Sequence, residues 1–396
     1  MAWLSQTLAV MWINLQTLPA RIGSSIVAII GIAGVVIVFV SVLSISVGFS
    51  SALKGTGFPD RALIMQRGSD TEMTSGIGGM EARIIQDAPG IRHEGDAVLA
   101  AAELSLVVDL PKKSKPDVTA NVPIRGIQPV SPKVRKEVSI TEGRMLRFGT
   151  NEVIVGKNAK AEFAGMNVGD TIVSGVNKWT VVGVFQSNGS VAESEIWCDV
   201  QNLQSVYRRI NEFSAVLVQM DSADSFGSLK DWLERNPQMQ VGVQRENEYY
   251  ASQSRIMTQI IDTLGYGIAS LMAIGAVFGA ILTMYTSVAS RTREIATLRA
   301  LGFNTLSVIA SVLSESVVLG GIGGLVGAIG AYLAFDGFRT STMNFQTFSQ
   351  VAFAFRVTPS LFVTGLIYAL SIGLIGGLLP AIRAARLPIS KALREL

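Results

Sequence analysis

Apolar positions along the chain gather into four long runs, from Ile22 to Gly48, Thr263 to Ala289, Leu306 to Phe335 and Ser360 to Pro380. Each is long enough to cross a bilayer as a helix, which takes about 20 predominantly apolar residues. Between the first and second runs the pattern changes to short strand-like stretches: RALIM (61–65), VLAAAELSLVV (98–108), EVIVG (152–156), KWTVVGVF (178–185) and SAVLVQM (214–220). Two helical patterns accompany them, GMEARIIQDA before Pro89 and SADSFGSLKDWLERN before Pro237, the second with a Ser or Asp cap at its start. The expected fold is therefore an α-helical integral membrane protein with four transmembrane helices and a large mixed α/β extracytoplasmic domain inserted between helices 1 and 2.

The polar segments complete the division. Residues 1–20 carry Trp3, Leu4, Leu8, Trp12 and Leu15 at about helical spacing, which predicts an amphipathic helix in the cytoplasmic interface. Transmembrane helix 1 covers 21–53, and its apolar run is too long for a signal-peptide core, so it reads as an uncleaved anchor. The outer domain covers 54–245 in two lobes, about 54–95 with 214–245, and about 96–213. Residues 246–289 hold a stalk and transmembrane helix 2; ENEYYASQSRIMTQIIDTL is polar yet free of proline and glycine, so the helix begins before the apolar run. A charged segment at 290–304, helix 3 at 305–335, an extracytoplasmic loop at 336–357, helix 4 at 358–380 and a tail at 381–396 follow.

Composition agrees with a membrane protein carrying a soluble part: 49% of residues are hydrophobic and only 16% charged, against roughly 25% in an ordinary globular domain. The net charge of +3 is too small to argue for nucleic acid, and position matters more. Arg291, Arg293 and Arg299 fall in the 290–304 segment, and Arg383, Arg386, Lys391 and Arg394 in the tail, whereas the 336–357 loop has only Arg339 and Arg356. Basic residues concentrate on cytoplasmic flanks, which puts both termini and the 290–304 segment in the cytoplasm and residues 54–255 outside.

Catalytic inventories are thin. His93 is the only histidine, which rules out paired-histidine zinc motifs, and Cys198 is the only cysteine, best read as a buried small apolar side chain. No phosphate-binding G-x-x-x-x-G-K-[ST] loop occurs, so the chain is expected to be no enzyme, with no catalytic, cofactor-binding or metal residues. Glu315, about ten residues into the third run, is expensive in lipid: it reads either as a proton or substrate site or, as preferred here, as a residue near the cytoplasmic end paired with a nearby arginine. Glycines spaced by four, Gly275 with Gly279, Gly320 with Gly324, Gly323 with Gly327 and Gly373 with Gly377, are candidates for close helix packing, either within one subunit or at a dimer interface.

The charged segment SRTREIATLRALGFN reads as a short amphipathic helix with Ile295, Leu298 and Leu301 on one side, stopped by Gly302 and followed by a helix capped at Asn304. It resembles the E/S-R-x-R-E-I-G-x-[LM]-[RK]-A-[LI]-G segment after the second transmembrane helix of MacB-type, FtsX-like permease subunits of ABC transporters (the type VII family). NEVIVGKNAKAEFAGMNVGDTIVSGVNKWTVVGVF and LPAIRAARLPISKALREL are similar to two further stretches of that family, so the resemblance covers nearly the whole chain. It departs from the pattern at Ala296, where glycine is usual, and at Leu387 and Ser390, where acidic residues are usual.

The resemblance implies that residues 290–304 form a coupling helix resting in a groove of a separate ATP-binding subunit, with Arg291, Arg293, Glu294, Leu298, Arg299, Ala300 and Leu301 docking and Gly302 terminating. It implies further that ATP and Mg are bound by that partner and not by this chain. Expected partners are the ATPase, a second permease subunit (itself or a sister chain), a periplasmic adaptor and membrane lipid, with no nucleic acid. The implied role is the permease of an ATP-driven export or mechanotransmission complex in the bacterial inner membrane. The alternative is an FtsX-like scaffold whose ATPase cycle regulates an extracytoplasmic hydrolase.

Overall fold

The computed structural model describes residues 7, 10–12, 14, 16, 22–174, 177–236, 238–344 and 349–386, with Ser24 and Ser349 described by backbone alone. Of the proposed N-terminal amphipathic helix, Trp3, Leu4, Leu8 and Leu15 lie outside the described residues, as do Leu387, Ser390, Lys391 and Arg394 of the tail. The chain divides into two compact units. One, called the membrane unit after the spans expected in it, comprises Met1–Val47, Gln259–Phe338 and Phe355–Leu396; the other, called the outer unit after its expected placement, comprises Gly48–Thr258 and Arg339–Ala354.

The first long helix, α1 (Ile22–Lys54), leads into the second unit, an α/β domain built on one ten-stranded sheet. Its strands are β1 (Arg61–Gln66), β5 (Ala100–Pro111), β6 (Thr119–Ile127), β7 (Ser139–Gly143), β8 (Glu152–Gly156), β9 (Thr171–Ser174), β10 (Asn177–Gln186), β11 (Ile196–Asp199), β13 (Ala215–Gln219) and β14 (Val241–Arg245). Short pairs β2 (Ile77–Gly78) with β12 (Glu212–Phe213), and β3 (His93–Glu94) with β4 (Ala97–Val98), stand apart from it. The order across the sheet is β14-β1-β13-β5-β6-β11-β8-β10-β7, with β9 beside β10; only β6–β11 and β8–β10 run parallel.

Strand β5 is the hinge between the lobes anticipated from the sequence. Its first residues pair with β13 (Ala100 opposite Val218 through Glu103 opposite Ala215), and its remainder pairs with β6 (Leu104 opposite Gly126 through Pro111 opposite Thr119). The expected boundary near residue 95 lies a few residues before this strand, whereas the change of partner falls between Glu103 and Leu104, so both sheet halves share the backbone of β5. RALIM is buried at every position, as expected for a strand covered on both faces, whereas β9 alternates exposed and buried.

Helix α2 (Gly79–Gln86) starts with the Glu81 carboxylate accepting the Gly78 N–H at 2.9 Å. Short helices α3 (Ser131–Val134), α4 (Lys157–Glu162) and α5 (Val200–Val206) lie in connections, and α6 (Phe226–Arg235) buries Leu229 and Leu233. One core joins Ile64, Ala102, Ile124, Val153, Trp179, Val218 and Leu229; a second holds Phe185 against Trp197, ring centroids 4.5 Å apart, with Ile127, Leu146 and Ile154.

Helix α7 (Glu246–Ser290) is unbroken over 45 residues, about 67 Å at ~1.5 Å per residue. A short helix α8 (Thr292–Ala300) and the long α9 (Thr305–Phe335) follow, and the chain closes with α10 (Pro359–Ala385). Four helices are long and apolar enough to cross a membrane: α1, α7, α9 and α10. Helix α10 continues past Pro380, where the fourth span was expected to end. A proline forfeits one backbone bond, which neighbouring helices tolerate in an apolar bundle.

Residues 336–357, expected as the loop between the third and fourth spans, contain a pair of strands. Strands β15 (Arg339–Asn344) and β16 (Ser349–Ala354) form an antiparallel hairpin that belongs to the outer unit. Val351 and Phe353 are buried, Phe353 sits edge-on to Phe49 at 5.6 Å, and the Ala352 N–H donates to Ser194 Oγ at 3.1 Å.

Candidate coupling segment and the polar cluster of the outer unit

The α8 segment is shaped by its ends. Gly302 takes φ +93°, the left-handed conformation that ends a helix, and the Phe303 N–H reaches back to the Leu298 carbonyl at 3.2 Å. Two residues later the Asn304 side chain accepts the Leu306 N–H and opens α9. Ile295 and Ala296 are buried, Ile295 among Met284, Val288, Val308, Val312 and Ala384. Ala296 therefore stands on the inward face with Ile295.

The expectation that Ile295, Leu298 and Leu301 share a face does not hold. Steps of three residues fall about 60° short of a full turn each, so the third position has rotated well away from the first. Ile295 is buried, Leu298 half-buried and Leu301 72% exposed. Arg293, Glu294 and Ala300 are exposed with Leu301, and Arg299 is half-buried.

Arg291 departs most from a docking role. Its side chain is only 11% exposed and reaches Glu315 at 3.2 Å and Glu294 at 3.1 Å, and also bonds Asn14. Glu315, 4% exposed, also accepts from Ser287 Oγ at 3.1 Å. The intramembrane carboxylate is thus paired with an arginine, as the cost of an isolated charge there requires.

The spaced glycines separate into two sets. A Cβ on Gly320 would lie 2.9 Å from the Ala369 carbonyl oxygen, on Gly324 2.6 Å from Ala369 Cβ, and on Gly327 2.7 Å from the Ala33 oxygen. A Cβ on Gly373 or Gly377 would meet Ser316 at 2.7 and 2.6 Å, and one on Gly323 would meet Ile32 at 3.0 Å. These glycines let α1, α9 and α10 touch within one chain. Gly275 and Gly279 of α7 have nothing within 4 Å of an added Cβ.

The outer unit holds a buried ionic cluster that sequence reading missed. Arg125 forks onto Glu72 (2.8 and 3.0 Å) and Glu195 (2.8 and 2.8 Å) and reaches Glu103 at 3.1 Å. Arg135 meets Glu103 at 2.9 Å and Glu246 at 3.5 Å; Arg61 forks onto Glu137 and meets Glu246 at 3.5 Å. Trp197 Nε1 donates to Glu195 at 2.7 Å, and the Glu72 N–H to Tyr249 at 3.2 Å. Alternation of charge in a strand is the one sequence signal available, since Glu103 and Arg125 interrupt apolar β5 and β6.

Burial works to raise the Glu103 carboxyl, but Arg135 and Arg125 outweigh it and hold it below the usual range. Glu246 lies in the outer unit, well before the apolar run beginning at Thr263; burial pushes its carboxyl up, and Arg135 and Arg61 only partly oppose this. Cys198 is fully buried, its thiol raised by burial and donating to the Arg125 carbonyl at 3.7 Å. His93 is exposed on β3. Among the described residues no group of three or more His, Cys, Asp or Glu side chains is placed to hold a metal ion.

Comparison with known families matches residues 25–236 to the MacB-like periplasmic core domain and 266–389 to the FtsX-like permease C-terminal. The ABC transporter permease YvrN of Bacillus subtilis (strain 168) is 35% identical over 128 residues, 32% of this chain and 29% of the relative. The macrolide export ATP-binding/permease protein MacB of Hahella chejuensis is 25% identical over 280 residues, 66% of this chain and 41% of the relative. The alignments thus span less than half the length of either relative. The crystal structure of the periplasmic region of MacB from Actinobacillus actinomycetemcomitans superposes with a TM-score of 0.37 at 16% identity, covering 53% of this chain and 95% of that one.

Proposed function

The chain belongs to the MacB-like, FtsX-like family of ABC transporter permeases, and from that premise we propose that it is the transmembrane permease subunit of an ATP-driven mechanotransmission complex. ATP and Mg bind on a separate cytoplasmic ATPase, whose groove receives α8. Both termini lie in the cytoplasm, and the α/β domain inserted between spans 1 and 2 works outside the inner membrane, handling cargo there, with a periplasmic adaptor as a further partner.

The observation that carries the reading is the form of α8. It is a nine-residue helix ended sharply at Gly302, fastened inward by Ile295, Ala296 and Arg291, and it turns Arg293, Ala300 and an exposed Leu301 outward. An exposed leucine beside arginines suits a partner groove with an apolar floor and an acidic rim. Helix α7 runs without a break from Glu246 to Ser290, just before this segment, and in the proposed complex it is the element along which motion is carried.

Leu301→Asp tests the docking. It retains the arginines that set orientation and changes a side chain the membrane unit leaves exposed. An unpaired carboxylate buried in the groove costs ~3 to 5 kcal/mol, so binding of the ATP-binding subunit falls by about a hundredfold or more while the permease still inserts and folds. Undiminished co-purification of the ATPase with the variant excludes α8 as the docking element. Orientation is checked separately with single cysteines: Ser114→Cys, on an exposed turn, reacts from outside, and Thr297→Cys only after permeabilisation. The native Cys198 is buried and does not compete.

A further inference from the structure

The buried cluster of the outer unit is out of charge balance. Three guanidinium groups, Arg61, Arg125 and Arg135, face five carboxylates, Glu72, Glu103, Glu137, Glu195 and Glu246, and all eight side chains are 9% exposed or less. Ionising every member leaves a formal surplus of two negative charges away from water, which is costly enough that a buried acid takes up a proton instead.

Geometry identifies which one. Glu72 and Glu195 each receive two short bonds from Arg125, and Glu195 a third from Trp197. Glu137 receives both arms of Arg61, and Glu103 is bonded at 2.9 and 3.1 Å. Glu246 has the weakest claim on charge: its two guanidinium neighbours stand at 3.5 Å, each already committed to another carboxylate, and its one short bond, 3.1 Å from the Phe58 N–H, serves a neutral acid equally well. The groups facing it are Arg61 from β1, Arg135 and Glu137 from the segment after α3, and Tyr250 from its own helix. Asp60, Arg92 and Lys136 line an open cavity of about 350 Å³ together with Arg61 and Glu137 of the cluster, whereas Glu246 does not line it.

We propose that Glu246 is a proton-binding site at the root of helix α7, occupied at neutral pH and emptied only as the exterior becomes alkaline. Its position gives the proton a consequence. Glu246 is the first residue of α7, and through Arg61 it touches β1 while through Arg135 it connects to Glu103 on β5, the strand shared by both sheet halves. Losing the proton adds an unbalanced charge at this joint and loosens the attachment of α7 to the sheet. The upward shift of the Glu246 carboxyl by burial agrees in direction. A carboxyl raised in the fold contributes stability that is present at low pH and lost as pH rises through the folded value.

The test uses the full chain in detergent. Wild type is expected to melt about 2 to 4 °C lower at about pH 9 than at about pH 6, while Glu246→Gln, which copies the protonated acid, loses that alkaline decline and equals or exceeds wild type at neutral pH. Infrared spectroscopy supplies a direct readout: the carbonyl stretch of a protonated carboxylic acid is present in wild type at neutral pH and absent from Glu246→Gln. An unchanged alkaline slope in the variant, a variant that is destabilised at neutral pH or fails to fold, or a wild-type spectrum without that band each overturns the proposal. None of these readouts involves the ATPase, so the result is independent of the docking of α8.

Discussion

The two units bury different things. The outer unit encloses large side chains, among them Trp179, Trp197, Phe185 and Ile64, together with the eight-membered ionic cluster. The membrane unit packs on Gly320, Gly324, Gly327 and Gly373, with Ala369 and Ala331 fully covered and Arg291–Glu315 as a paired exception. In water, stability comes from removing apolar area from solvent, so bulk belongs inside. In lipid that drive is missing between helices, and close backbone approach replaces it. Much of the bulk there faces outward, as on α7, where Leu271, Phe278 and Leu282 are 73, 62 and 67% exposed, although Phe39, Leu43 and Ile372 are buried.

The contrast predicts where the same kind of change is severe. Arg125→Met strips the partner from Glu72 and Glu195 at once; an uncompensated buried charge costs ~3 to 5 kcal/mol, enough to abolish folding of the outer unit, read as loss of protease resistance. A variant with wild-type resistance would show the cluster to be hydrated. Gly324→Leu forces a side chain into the space held by Ala369 and Leu366, and overpacking of this kind costs ~1 to 3 kcal/mol or more, seen as a lower melting temperature in detergent.

Gly275→Leu sharpens the comparison, because nothing in the chain occupies the space beside it. The subunit is expected to melt as wild type, while cross-linking of permease pairs through α7 declines if that face meets a second permease. Equal destabilisation by the Gly275 and Gly324 substitutions would remove the distinction between the two glycine sets.

The smallest effect is expected at the surface. Arg144 bonds to Glu152 and holds its carboxyl at about 2. A lowered carboxyl contributes stability above its unfolded value and loses it as pH falls towards the folded one, so Glu152→Gln affects only the stability above the acid limb. Solvent screens this pair, and the change in melting temperature at neutral pH is expected to lie near the limit of measurement.

Legibility follows the range of the interactions. Hydropathy runs locate all four long helices because a span must be apolar over its whole length, whatever packs beside it. Gly302 and Asn304 could be read as stop and start because caps act within one turn. Position in the third run predicts an arginine partner for Glu315, but that the partner is Arg291, a docking residue by family pattern, depends on its side chain turning inward beside Asn14 and Ser287. The hairpin at residues 339–354 lacked strong strand patterning, since most of what orders it is its packing against the outer unit.

By itself the sequence determined what depends on composition and short-range pattern: the membrane spans, the α/β character of the outer segment, the compact charged helix and the family. Only the tertiary structure decided which glycines meet a neighbour, which arginine points inward and that eight charged residues far apart in the chain share one buried cluster. Glu72, Glu103, Arg125, Glu195 and Glu246 span some 170 positions of chain, and each alone looks like an ordinary surface charge. Their mutual pairing arises only when folding brings all of them together away from bulk solvent.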